Sequence, residues 1–570
     1  MGTPRNSPAP HPSNRPAVVK LALAALAAPL LLAGCSFRAP QIVDYWPGKN
    51  DSGVPTNQPI RIGFDRPVDA ASVVGRFHLL PMPPISSLDL LPGRLPAAAG
   101  KDVAGSPRWE GPARFVFDHP TLEAGRDYQV ILDAGFRDLD GNSSWLAHHW
   151  LFRTERSPAF VGASPGDGDR AVDPAADLTL TFNRQMDATS AARSITITPA
   201  TPFTVRQDPA DARRLVLVPQ SLLGPNRTYT ITVTGDLRDA DGNRLAAGRL
   251  VGFATGPVRA LRNTVSFLSQ PGAAAGEPGA AVWIVDASRV PRKVADGPVT
   301  AYSWSPDGLR LLVGTPENRW WEVPLGGDAT LLPFRANWAA ELSPPRGIAY
   351  LVDGDLYALP PRGSPVLLAS GVAEAAVAPN GFRIAYTRAG AGATELDAVD
   401  VDIRAHYRLQ LEAGTATAIA WSPDGSRLAY LQRAEAAAPA SIKVRTLTGT
   451  GGVRTVASAE ASAPRWDADS RHLVFAANVA GPAGPVSKIF RIDTLNPPGR
   501  LAYGLGLPVP LEGANPAPSP DGHQIAFVAE RSGRSQVWTM NVDGSGLTQL
   551  TNYDPKAYPY SSVAPVWSRS

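Results

Sequence analysis

Cys35 is the single cysteine of the chain, so its thiol has no intramolecular disulfide to form. Carboxylates crowd together twice, in Asp138-Leu139-Asp140-Gly141-Asn142 and Asp239-Ala240-Asp241-Gly242-Asn243. That spacing could open a calcium loop, but the glycine comes too early and no glutamate stands at the twelfth position. Asp-Gly-Asn instead supplies the positive φ of a hairpin turn. His148 and His149 are neighbours on an alternating segment, which sends them to opposite faces and away from a shared metal. Beyond residue 256 only His406, His472 and His523 occur, in separate repeats and on or beside outer strands. The chain has no Gly-x-Ser-x-Gly nucleophile elbow, metal triad or phosphate loop. These residues predict no catalytic group, no metal and no cofactor, and favour a binding protein over an enzyme. The alternative is a hydrolase or lyase acting on an envelope or extracellular polymer, with an active site assembled from separate parts of a channel.

The elements that would position such residues come in two kinds of repeat. Tyr128, the Asp138 turn, Phe152 and Thr154 recur as Tyr229, the Asp239 turn, Phe253 and Thr255, each at an offset of 101 residues. Upstream, Ile60-Arg61-Ile62-Gly63-Phe64-Asp65-Arg66-Pro67-Val68-Asp69 matches Leu178 to Asp187 at an offset of 118, so the first copy carries about 17 extra residues between Leu80 and Trp109. Alternating strands such as Tyr229-Thr230-Ile231-Thr232-Val233, parted by turns every ten or so residues, predict antiparallel sandwiches. Leu122, Gly125 and Tyr128 have the spacing of a tyrosine corner, and Leu223, Asn226 and Tyr229 keep it, with asparagine as the residue that tolerates left-handed φ.

From residue 257 a different unit repeats: Trp304-Ser305-Pro306-Asp307-Gly308, Trp421-Ser422-Pro423-Asp424-Gly425 and Ser519-Pro520-Asp521-Gly522, with weaker copies at Leu342, Val377 and Trp466. Proline presets φ, aspartate caps its own backbone and glycine takes positive φ, so the box is a turn and not a catalytic motif. Short strands follow each box, four to every ~35–52 residues, which is a propeller blade. Ala564 to Ser568 stops where the next turn belongs, and the first segment, from Thr264, lacks an inner strand. Each end supplies what the other misses, predicting seven blades closed by the C-terminal strand, with six as the alternative. The fold class is therefore all-β.

Composition agrees. At ~100–200 residues per domain, 570 residues make several domains. The 44% hydrophobic content can fill cores, and 52 glycines with 57 prolines suit many turns. The net charge is +3, and Arg5, Arg15 and Lys20 precede residue 35 with no acid among them. The remainder is neutral, which removes the electrostatic case for nucleic acid. Leu21 to Leu32 is an apolar run of 12, shorter than the ~20 residues of a spanning helix and suited to a signal-peptide core.

Three resemblances follow from these motifs. Leu32-Ala33-Gly34-Cys35 resembles the bacterial lipobox, implying that residues 1–34 are a signal peptide and that Cys35 carries a diacylglycerol, with a further acyl chain such as palmitate on its amine. Ser36 in place of aspartate implies the periplasmic side of the outer membrane, or the outer face of the cytoplasmic membrane in a single-membrane bacterium. Residues 42–155 and 156–256, joined to Cys35 by a tether over 35–41, resemble SbsA-type bacterial Ig-like domains. Residues 257–570 resemble the WD-like propeller of TolB. Together they imply an exported lipoprotein whose propeller binds a protein or glycan partner, with the Ig-like domains as spacers. The boxes mark one face of the propeller as short and regular, so the partner is expected on the opposite, variable-loop face, at Trp320, Trp338, Tyr553, Tyr558 and Tyr560.

Overall fold

The structure, a computed structural model, describes residues 38–83, 101–270, 280–449, 451–507, 512–552 and 560–568. Strand alternation builds the first sandwich. Along Asp127–Leu132 every second side chain is buried, and Tyr128, Val130 and Leu132 meet Ile60, Ile62, Phe115 and Phe117 of the facing sheet. One sheet orders Ile42–Trp46, Ile60–Phe64, Arg114–Asp118 and Ser106–Trp109; the other orders Ser52–Val54, His148–Thr154, Asp127–Leu132 and Phe77–Pro81.

The second sandwich repeats this order with Phe160–Ser164, Leu178–Phe182, Arg214–Pro219 and Phe203–Gln207 facing Arg249–Ala254, Thr228–Val233 and Ile195–Thr198. In each copy the last aspartate of the upstream match caps a short helix. Asp69 accepts from the Ala71 amide, and Asp187 accepts from the amides of Thr189 and Ser190. The tyrosine corner forms as its spacing predicts: the Tyr229 hydroxyl accepts from the Gly224 amide at 2.7 Å, while Asn226 and Gly125 take φ of 52° and 70°.

The first sandwich, apart from a few residues near 55–57 and 123–125, is one compact unit, and residues 155–570 form the other. Within that second unit the described residues from 265 onward make seven sheets, six of four strands and one of three. The strands that open the successive sheets are Ala301–Trp304, Trp338–Glu341, Val372–Val377, Thr415–Trp421, Arg465–Trp466 and Ala514–Pro518. In the remaining sheet the C-terminal Ser561–Trp567 pairs antiparallel with Val265–Gln270, setting Trp567 opposite Val265. The ring therefore closes through its two ends, with Ser561–Trp567 covering the edge of Val265–Gln270.

Each box folds on itself. The Ser305 hydroxyl donates to Asp307 Oδ1 at 2.6 Å and accepts from the Arg310 amide at 3.0 Å, and Asp307 also accepts from the Leu309 amide. Ser422 with Asp424 and Ser519 with Asp521 repeat the pattern. The tryptophans join neighbouring sheets. Trp421 Nε1 donates to the Ala376 carbonyl, Trp466 Nε1 to Ala420 and Trp567 Nε1 to Ala517, at 2.8–3.0 Å. Trp304 donates to the Ser266 hydroxyl, which donates in turn to the Val566 carbonyl.

The second sandwich is fastened to this ring. Arg292 pairs with Asp177 and donates to the Ala175 carbonyl, Ser221 and Lys293 form a parallel β-bridge, and Leu222 enters the cluster of Val282, Ile284, Val299 and Trp304.

Candidate functional site

The residues expected to meet a partner separate. Cys35, Tyr553 and Tyr558 lie outside the described residues. Trp320 corrects the expectation for it: it is only 3% exposed, packs with Leu312, Ala336, Ala339 and Tyr350, and donates its indole N–H to the Ala336 carbonyl at 2.8 Å. A ring so enclosed reaches no partner. Trp338 is half-buried against Leu342, Leu351, Val372 and Ala375. Tyr560 packs on Trp283 with ring centroids 6.0 Å apart.

Strand parity explains the misplacement at Trp320. In Arg319–Pro324 the next residue, Trp321, turns to the other face. There it lines a cavity of about 720 Å³ with Ala295, Val313 and Val323, flanked by Asp296, Glu317 and Asp328. Two of these acids are paired, Asp296 with Lys293 at 2.6 Å and Glu317 with Arg319 at 3.7 Å.

A second cavity, about 420 Å³, lies where the opening strands of the sheets converge. Trp421, Trp466 and Trp567 wall it, Pro423 and Pro520 of the boxes rim it, and Arg465 stands inside. The indole N–H groups are already engaged on backbone carbonyls, so the tryptophans offer ring surface and no donor. The Arg465 side chain makes no hydrogen bond or ion pair among the described residues, and the residue is exposed where it lines the cavity. The surrounding ring, by displacing bulk water, pushes its pKa below the ordinary arginine range although the residue is exposed, and the Tyr302 hydroxyl partly opposes this. Burial likewise raises the Tyr302 pKa, against a hydrogen bond with Ser266 and the field of Arg465. Among the described residues no carboxylate lines this cavity, so an anion entering it would meet a cation with no competitor among them.

Sequence reasoning missed Arg465, yet a signal existed. It occupies the position before the box, where the other repeats place Ser303, Glu341, Ala376, Ala420, Ala517 and Val566. Glu341, the other charged residue of that series, is held by Arg310, which leaves Arg465 as the unmatched charge.

The Asp-Gly-Asn turns are self-bonded. Asp138 Oδ1 accepts from the amides of Asp140 and Asn142, and Asp239 does the same with Asp241 and Asn243. Glu155, Asp239 and Asp241 bring carboxylates within 4.8 Å of one another. Arg184 pairs with Glu155 at 2.6 Å and Asp239 at 3.3 Å, and Asn243 Nδ2 donates to both. One of the protein's own cations, Arg184, thus already engages two of the three carboxylates.

Two tandem, mainly antiparallel sandwiches ahead of a closed ring of sheets define a modular all-β protein. The sequence pattern of the bacterial Ig-like domain matches residues 37–154 and 155–255, and that of the TolB β-propeller domain matches residues 417–568. The chain thus carries two bacterial Ig-like domains followed by a TolB-type propeller. No curated protein matches it significantly. Among solved structures it is similar to TolB from Acinetobacter baumannii, at 14% identity over 66% of this chain and 83% of that one, with a TM-score of 0.35. The putative TolB from Agrobacterium tumefaciens matches at 16% identity over 54% and 98%, with a TM-score of 0.31. An oligogalacturonate lyase from Vibrio parahaemolyticus matches at 10% identity over 52% and 87%, with a TM-score of 0.35.

Proposed function

We propose that this is a cell-envelope lipoprotein, anchored through Cys35, whose propeller binds an acidic group of a protein or glycan partner in the tryptophan-walled cavity while the Ig-like domains act as spacers. The observation that carries the reading is the Arg465 guanidinium, unmatched among the described residues, in a cavity that none of their carboxylates lines. A guanidinium bonds a carboxylate in two parallel hydrogen bonds, and the neighbouring rings supply flat surface for the rest of a ligand. The same lining supports binding over catalysis, because among the described residues it holds neither an imidazole nor a carboxylate to take a proton. The cavity is rimmed by box prolines, so this reading moves the site from the variable loops to the box end.

The test is crosslinked capture from envelopes carrying the wild type, Arg465→Gln, or the combined Trp338→Ala, Tyr558→Ala and Tyr560→Ala variant. Losing a charge-assisted pair costs about 1.5–3 kcal/mol, roughly ten- to hundredfold in affinity. Capture lost only with Arg465→Gln, at an unchanged melting temperature, supports the cavity. Capture lost only with the aromatic variant moves the site to the loop face, and capture retained by both overturns binding at either place.

A further inference from the structure

Three large apolar side chains stand in solvent at one end of the first sandwich: Leu139 is 70% exposed, Trp145 83% and Leu146 64%. They fall within eight residues, on and just after the Asp138 turn. Clusters of this kind at one edge of a domain mark an interaction surface.

The chain from Cys35 arrives at the same end. The Gln41 amide donates to Asp65 Oδ1 at 2.9 Å, and the Asp65 amide donates to the Gln41 carbonyl at 3.0 Å. Arg66 pairs with Asp65 and reaches Asp138 Oδ2 at 3.7 Å, while Val68 forms an antiparallel bridge with Asp138 itself. Backbone contacts therefore run from Gln41, where the tether ends, to the turn that carries Leu139. Between Cys35 and Gln41 lie six residue steps, which span about 20 Å at full extension. A lipid on Cys35 would hold this end of the sandwich within that distance of the bilayer.

The second sandwich supplies an internal control. At the offset of 101, Leu139, Trp145 and Leu146 correspond to Ala240, Ala246 and Ala247. The turn residues Asp138, Asp140, Gly141 and Asn142 all persist as Asp239, Asp241, Gly242 and Asn243. Folding the turn thus needs none of the three apolar residues, and they occur only in the copy beside the tether.

We propose that Leu139, Trp145 and Leu146 insert into the membrane interface and seat the first sandwich on the bilayer. This rests on the lipid anchorage proposed above for its location, not for its chemistry. Tryptophan favours the interface, where its ring is buried and its N–H stays wet, and the leucines add apolar area. Arg38, Arg66 and Arg137 at this end are offset by Asp65, Asp138 and Asp140. The insertion is apolar, without a requirement for anionic lipid.

The experiment uses the mature chain, residues 35–570, with Cys35→Ala so that no lipid is attached, and phosphatidylcholine vesicles containing a nitroxide quencher at shallow depth. The chain should sediment with the vesicles and its fluorescence should be quenched. Replacing Leu139, Trp145 and Leu146 by alanine, as in the second copy, should lower partition by about tenfold at an unchanged melting temperature, and Trp145→Ala alone should remove the quenching. Equal partition of parent and triple variant overturns the proposal, as does no partition of either. Self-association of the parent that the triple variant loses, with no vesicle binding, assigns the patch to a second copy of the chain and overturns it too. Absence of lipid on the wild type removes the anchor without changing these vesicle results, so the two readings fail separately.

Discussion

A serine hydroxyl and a backbone amide converge on one carboxylate in each Ser-Pro-Asp-Gly box. Burial works against ionisation of Asp307, Asp424 and Asp521, but these bonds outweigh it and hold all three below the usual carboxylate range. Each folded-state pKa lies below the unfolded value of about 3.9. The stability they contribute is complete above that value and is lost as pH falls through the folded pKa. The propeller melting temperature should therefore drop below about pH 4, and combined alanine variants of Ser305, Ser422 and Ser519 should start lower and fall less steeply. A parent profile no steeper than the variant's would refute this role. The box and the tyrosine corner were legible in sequence because donor and acceptor lie within five residues of each other. The Arg66–Asp138 and Arg184–Asp239 pairs were not, although both motifs were visible, because nothing local says which face of a turn meets which strand.

At the level of strands, alternation revealed the sandwiches and spacing revealed the ring, while parity remained ambiguous wherever two aromatic residues are adjacent. Trp320 and Trp321 both fit a strand, and only the packing of neighbouring sheets decides that the first is core and the second lines a cavity. The closing strand was legible from what each end lacked. Deleting residues 561–570 removes Trp567, whose burial among Val265, Phe267 and Ala517 alone accounts for about 3–5 kcal/mol, and exposes the edge of Val265–Gln270. Calorimetry should show the propeller transition lowered or lost, with the first sandwich melting as in the full chain. An unchanged propeller transition would show that Ser561–Trp567 does not hold the ring shut.

For the whole molecule, the lipobox resemblance makes fatty-acid incorporation the decisive measurement. Labelled palmitate should enter the wild type and be absent from Cys35→Ala; equal labelling would remove Cys35 as the attachment point. The lining of the tryptophan-walled cavity was not legible, since it is assembled from residues such as Trp421, Arg465 and Trp567 that stand far apart in sequence. The seam of the ring has a mechanical consequence. The chain leaves the second sandwich and enters the propeller at Val265–Gln270, a strand with Val282–Val285 on one flank and Ser561–Trp567 on the other. Ladder hydrogen bonds lie across the strand direction. Tension between an anchored N-terminus and a partner gripped by the propeller, directed along that strand, would have to shear two ladders together instead of unzipping one bond at a time.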